Sequence, residues 1–264
     1  MMYHKRKTIA DLRALKGKHQ MAMLYVETVD EARAAAAAGI EMLSISVNVW
    51  TEAMREAAGD CVVQVGLLPG EFCTYEDYLR GAHKAIMIGA DCIYCIASIE
   101  TIRKLASEGI PVVGHVGLVP LKATWTGGFR AVGKDASSAQ KIFEAVMELE
   151  KAGAIGAEIE VVPARVATEI SKRTKLILLS MGAGAGCDAQ YLFAEDILGY
   201  TRNHMPRHAK AYRNFKLEFE RLQNERIAAF REYKSDVDAG HYPEEKHLVS
   251  ISDVEFLKFM ANLP

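Results

Sequence analysis

Residues 109–134 read GIPVVGHVGLVPLKATWTGGFRAVGK. A short apolar run, Pro111 to Gly114, leads straight into His115 and then into a long Gly-rich loop. A buried strand that ends in a polar side chain and a glycine loop is the sequence form of a (β/α)8 barrel rim, the end of that fold where chemistry sits. This reading makes His115 a rim residue. It also says what to look for on either side: further short apolar strands, each followed by a helix.

That alternation runs through the chain. MAMLYV (21–26), MLSISV (42–47), CVVQVG (61–66), CIYCIA (92–97), PVVG (111–114), AEIEVV (157–162), LILLSMG (176–182) and a segment near 190–193 read as strands. Helical patterns follow at 30–38, near 50–57, and at 75–88, 99–107, 137–152 and 164–172. Eight strands spaced by helices fit a closed α/β structure, a (β/α)8 TIM-type barrel, better than an open sheet. Thr74 with Asp77 three residues on reads as a capping motif, Gly89 and Gly153 as helix stops, and Pro163 as a helix opener. The barrel is expected over 1–205 and a C-terminal helical extension over 206–264. In that extension Phe215, Phe219, Leu222, Ile227 and Phe230 recur near helical spacing within a stretch rich in Arg, Lys and Glu. Two partners fit the stripe: the chain's own barrel or a neighbouring subunit. The second would make the protein a homo-oligomer.

The bulk numbers exclude several classes. The chain has 264 residues, half of them hydrophobic, with a net charge of −2. This allows one large domain with ample core and gives no basic footprint for nucleic acid. No apolar run approaches membrane-spanning length. The basic start MMYHKRKT lacks the apolar stretch of a secretory signal. Five scattered cysteines suggest reduced thiols in the cytoplasm. Cys92 and Cys95 form a CxxC pair. Strand residues three apart point to opposite faces, so the pair reads as structural rather than as a metal or redox site.

Glu158 and Glu160 stand at i and i+2 of a strand, so they share one face. Two inward carboxylates repel, raising one pKa, or share a cation. The GAGAG run, Gly182 to Gly186, offers backbone N–H groups to an anionic substrate or makes a tight barrel-corner turn.

Several separated motifs, in order, carry a family resemblance. They are TIADLRALKGKHQMAML (8–24), GIPVVGHVGLVP, GGFRAVGK, EKAGAIGAEIEVVPARVATEI (150–170), GAGAGCDAQ with EDILGY, and AGHYPEEKH (239–247). Across nearly its whole length the chain resembles the ketopantoate hydroxymethyltransferase family. The resemblance implies a barrel of the phosphoenolpyruvate mutase and isocitrate lyase superfamily. Its members make or break C–C or C–P bonds through enolate-like intermediates held on Mg²⁺. The implied activity is the aldol-type step of pantothenate synthesis, with methylenetetrahydrofolate as one-carbon donor. The resemblance makes Glu160, in IEVVPA, the base that removes a proton from C3 of a 2-oxo acid. His115 becomes its electrophilic partner, donating to the developing oxyanion.

The sequence departs from this family at the metal. The metal-binding Asp expected after the second strand is Val47, with Asn48 opposite the neighbouring Ser. After the third strand stand Val65 and Gly66. After the fourth, Tyr94 lies opposite the family's Lys and Ile96 opposite its Glu. Mg²⁺ requires hard oxygen ligands, and Val47 and Ile96 offer none, so no metal residue is assigned. Asn48, Tyr94, Glu158, Gly182 and Gly184 are the expected contacts to a small-molecule carboxylate or 2-oxo acid. The alternatives are a metal-independent lyase or hydrolase on a related carboxylate, and a non-catalytic homologue that binds a metabolite or partner. Convergence of His115, Glu158 and Glu160 on one polar pocket would speak for an enzyme.

Overall fold

The computed structural model describes residues 6–202 and 204–263; residues 1–5 of the basic start MMYHKRKT lie outside them. Eight strands close into a parallel barrel: β1 (Met21–Tyr25), β2 (Met42–Ser46), β3 (Val62–Gly66), β4 (Cys92–Tyr94), β5 (Val112–Gly117), β6 (Gly156–Glu160), β7 (Ile177–Met181) and β8 (Ala189–Phe193). Each pairs with the next, and β8 returns to β1 with Tyr25 beside Phe193. This is the expected (β/α)8 architecture.

Alternation along each strand builds two separate cores. Inward side chains, among them Met21, Met42, Val62, Cys92, Ile177 and Leu179, fill the barrel as one cluster. Outward side chains, among them Leu43, Val63, Val65, Ile93, Cys95 and Leu178, pack against the surrounding helices as another. Burying each large aliphatic side chain contributes about 1.5–3 kcal/mol, so the barrel is stabilised from both faces. Cys92, on β4, and Cys95, just past its end, fall in different clusters, and all five cysteines are free.

Local signals set the helix ends. Thr74 accepts from the Asp77 N–H and the Asp77 carboxylate accepts from the Thr74 N–H, starting the helix Tyr75–Ile88. Gly89 ends it in the left-handed region at φ 113°. The link from β7 to β8 carries no helix. Asp188 anchors that return: it is buried, accepts from the Leu178 N–H at 2.8 Å, and pairs with Lys16 at 2.6 Å.

Two strands differ from the sequence reading. β5 continues through Gly114 and His115 to Gly117, so His115 stands on the strand itself and not on the loop after it. Gly114 does not end the strand. A Cβ there would lie 2.6 Å from Leu149, so it marks a close helix contact. β4 stops at Tyr94, because only Ile93 and Tyr94 pair with β5.

The chain divides into compact units Met1–Arg213 and Asn214–Pro264. The division falls beyond 205 because the N–H groups of Tyr212 and Arg213 both donate to the Ile197 carbonyl. The second unit holds the helix Phe215–Ala239 and a further helix, Asp253–Ala261. Phe219, Leu222, Ile227 and Phe230 are exposed on the first of these. Among the described residues, no helix is long and apolar enough to cross a membrane.

Candidate active site

A cavity of about 350 Å³ opens at the C-terminal ends of the strands. Its polar floor is made by inward positions of successive strands: Ser44 of β2, Tyr94 of β4, His115 of β5, and Glu158 and Glu160 of β6. Glu27, Glu31 and Glu195 form an acidic mouth, with the rings of Tyr25 and Phe193 tilted against each other beside it at 4.8 Å between centroids. Among the lining residues His115 alone can carry positive charge.

His115 is the centre of the polar network. Its Nε2 lies 2.7 Å from the Leu118 carbonyl oxygen and its Nδ1 lies 2.7 Å from the Tyr94 hydroxyl. Glu158 Oε2 stands 3.4 Å from Nδ1, and Glu160 Oε2 stands 3.2 Å from Nε2. Gln64, fully buried beneath them, donates to Glu158 Oε1 at 2.8 Å and to the Ser44 hydroxyl at 3.2 Å. Burial works against charging the imidazole, but the two carboxylates outweigh it and lift the His115 pKa to about 9. The ring is therefore an imidazolium at neutral pH. Burial, reinforced by Glu158, holds the Tyr94 phenol far above its ordinary pKa, so it stays protonated. The Nε2–H is directed at Leu118, and buried Glu160 Oε2 is left without a hydrogen bond of its own. Its contact with the ring is the 3.2 Å ion pair.

The backbone that aims Glu160 is unusual on both sides. Gly117, opposite it on β5, has φ +88°, and a Cβ there would lie 2.3 Å from the Glu160 carbonyl oxygen. That oxygen instead accepts from the Leu118 N–H at 2.9 Å. Directly after Glu160, Val161 takes φ 49°, a region a β-branched residue rarely adopts. It is held there by hydrogen bonds from its N–H to Met181 and to its carbonyl from Val132. Strain of this kind concentrates at functional sites.

The cavity brings together four of the residues expected from sequence: Tyr94, His115, Glu158 and Glu160. It does not include the other three. Asn48 follows β2 on a short 3-10 turn and donates to Glu71 at 2.9 Å, over a neighbouring groove. Gly182 and Gly184 shape the β7–β8 turn: a Cβ on the first would meet the His208 ring and on the second Ala164. The Gly184 carbonyl is taken by Ser180 and Gln190. Of the two readings of this glycine run, the tight turn is the one the geometry supports. Sequence reasoning missed Gln64 and Ser44, although both are polar residues within mostly apolar strands, which is the signal that finds them.

The donor set does not fit the family's Mg²⁺. Val47 packs against the layer between barrel and helices, and Val65 is fully buried in it. Gly66 faces the cavity without a side chain, and Ile96 is absent from its wall. The cavity therefore meets only neutral oxygens at the ends of β2 to β4: Ser44, Ser46 and Tyr94. Mg²⁺ is normally held by carboxylates in near-octahedral geometry. Among the described residues, no three His, Cys, Asp or Glu side chains are grouped to hold a metal ion.

Comparison with known proteins agrees with the motifs around His115 and Glu160. The model of the ketopantoate hydroxymethyltransferase family matches residues 49–245. A 3-methyl-2-oxobutanoate hydroxymethyltransferase of Thermus thermophilus is 31% identical, over 92% of this chain and 99% of that protein. One from Halalkalibacterium halodurans is 34% identical over 184 residues, with this chain spanning 63% of its length. The solved structure of 2,3-dimethylmalate lyase, a PEP mutase/isocitrate lyase superfamily member, is similar with a TM-score of 0.52 over 97% of this chain and 99% of that one. At 14% identity that likeness speaks for the fold alone. The family match covers both strands that carry the polar network, and on that ground the chain belongs to the ketopantoate hydroxymethyltransferase family.

Proposed function

We propose that this enzyme acts on a small 2-oxo acid by enolate chemistry, as a ketopantoate hydroxymethyltransferase-like catalyst, in the cytoplasm where its five free thiols stay reduced. The observation that carries the reading is the Glu160 carboxylate, buried at the end of β6, with Oε2 free of hydrogen bonds and facing the only imidazolium of the cavity. Glu160 takes the proton from C3 of the substrate. The C–H electron pair becomes the C2=C3 bond, and the carbonyl π pair moves onto oxygen. The resulting enolate then attacks a one-carbon unit at the oxidation level of formaldehyde: the C2=C3 pair forms the new C–C bond, the 2-oxo carbonyl is restored, and the π pair of the one-carbon unit moves onto its own heteroatom, which takes up a proton.

A cavity of about 350 Å³ encloses a small acid. A folate donor is larger than this, so the residues on the wall account for the enolate half of the reaction. His115 is the one group on that wall able to carry positive charge, and Glu158 and Glu160 flank it.

Exchange of the C3 proton for deuterium, measured over a panel of 2-oxo acids, tests the step without assuming the second substrate. The wild-type protein is expected to exchange at least one of them. Glu160→Gln keeps the shape and removes the base, and is expected to slow exchange about 10²–10⁴-fold. A variant exchanging at the wild-type rate would move the base to another residue, Glu158 first.

A further inference from the structure

An enolate needs its negative charge met at the 2-oxo oxygen. In this chain the ends of β2 to β4 offer no carboxylate set to hold a metal there, which leaves the protein's own donors. His115 is charged, but both of its nitrogens are already engaged. Nε2 faces the Leu118 carbonyl, an acceptor only, and so carries a proton. Nδ1 lies 3.4 Å from Glu158 Oε2, where a bare lone pair would face a carboxylate, so it too carries a proton and donates it to the Tyr94 oxygen. Neither N–H is left for a substrate.

The assignment frees a different group. A phenol that accepts from an imidazolium keeps its own O–H, and that O–H is polarised by the charge behind it. No other hydrogen bond of the Tyr94 hydroxyl is present among the described residues. Tyr94 lines the cavity at the end of β4, with His115 on β5 beside it and Glu160 on β6 beyond. Gly66 on β3 leaves the space over the ring open: a Cβ there would lie 3.6 Å from it. The donor and the base thus stand on either side of the imidazolium, across one small cavity.

We infer that Tyr94 is a catalytic residue whose hydroxyl, polarised through its hydrogen bond from His115, donates to the 2-oxo oxygen and stabilises the enolate in place of the family's metal. This rests on the enolate reading above. Tyr94 touches the reacting atoms, and His115 acts through it as a positioning residue. The phenol remains protonated throughout. The proton that leaves C3 goes to Glu160, and the enolate oxygen accepts a hydrogen bond without taking the proton.

The test uses full-length protein treated with EDTA, wild type beside Tyr94→Phe. Loss of a single oxyanion donor lowers turnover about 10²–10³-fold, and C3 exchange is expected to fall by that factor in the variant. The second readout does not need turnover. Oxalate, a planar dianion shaped like the enolate of a small 2-oxo acid, is titrated calorimetrically into both proteins. Tyr94→Phe is expected to bind it at least about tenfold more weakly, as for a lost charge-assisted hydrogen bond. Wild-type exchange or oxalate affinity in the variant would overturn the assignment. So would oxalate binding that appears only when Mg²⁺ is restored. Should the wild-type protein exchange no 2-oxo acid, the enolate reading fails, and weaker oxalate binding by the variant would still locate the anion donor at Tyr94.

Discussion

The two sides of the barrel rim differ in kind. From β2 to β4 the rim presents Val47, Val65, Gly66 and Ile96, apolar or without a side chain, and its inward polar groups are neutral hydroxyls. From β5 to β6 it presents His115 between Glu158 and Glu160, an ionic group supported from below by Gln64. Both sides belong to one closed sheet with continuous parallel pairing. The scaffold is set by alternating apolar positions, which are the same all round the barrel. The charges are set by a few inward positions near the strand ends. A family fold can therefore keep its barrel while the β2–β4 arc of its rim gives the cavity wall no charged group.

The strongest way to break this contrast is to put a charge on the wrong side. Val65 is fully buried in the layer between barrel and helices. Val65→Asp is expected to destabilise the protein by about 3–5 kcal/mol, because an isolated buried carboxylate has no partner there. Urea denaturation reads this as a lower midpoint. An unchanged midpoint would mean that the β2–β4 side accepts charge as readily as the β5–β6 side does.

A smaller effect sharpens the ionic side. The folded pKa of His115, about 9, lies above its ordinary 6.5. Its stabilising contribution is thus fully present below about pH 6.5 and is lost as pH rises through about 9. Exchange at C3 is expected to stay level from pH 7 to 8 and to fall about tenfold per unit once the imidazolium deprotonates. The groups facing the ring are Tyr94, Glu158 and Glu160, with Glu27, Glu31, Glu195, Tyr25, Tyr191 and Tyr200 across the cavity. Glu158→Gln removes one of the two carboxylates that hold the proton, so the fall should move to lower pH. An unmoved profile would assign it to another group.

Much of this was legible in the chain. Helix 75–88 follows directly from its Thr74 cap, helix 99–107 from the helical pattern after the fourth strand, and the eight strands from short apolar runs. Period-two alternation put Glu158 and Glu160 on one face, and the structure has both on the cavity wall. The end of β5 was misjudged because Gly114 looked like a stop, when it marks the close approach of Leu149. Asn48 is expected at the site because it stands opposite the Ser of the family motif, and Gly182 and Gly184 because a glycine run can offer backbone N–H groups to an anion. Sequence gives distance along the chain, however, and not the direction in which a turn points its groups. The acidic mouth of Glu27, Glu31 and Glu195 joins parts of the chain more than 160 residues apart, which no local pattern displays. The short helix Asp253–Ala261 carries Phe256 and Phe259 exposed, so its apolar residues form no buried stripe of the kind that spacing would flag.

The central claim is that the enolate is formed by the β5–β6 side with Tyr94 and without a divalent ion at β2–β4. The direct measurement is the C3 exchange rate of the wild-type protein before and after exhaustive chelation, paired with calorimetric titration of Mg²⁺, Mn²⁺ and Zn²⁺ into the chelated protein. The account predicts an unchanged rate and no stoichiometric binding. One tightly bound divalent ion, with exchange lost on chelation and restored on its return, would contradict it.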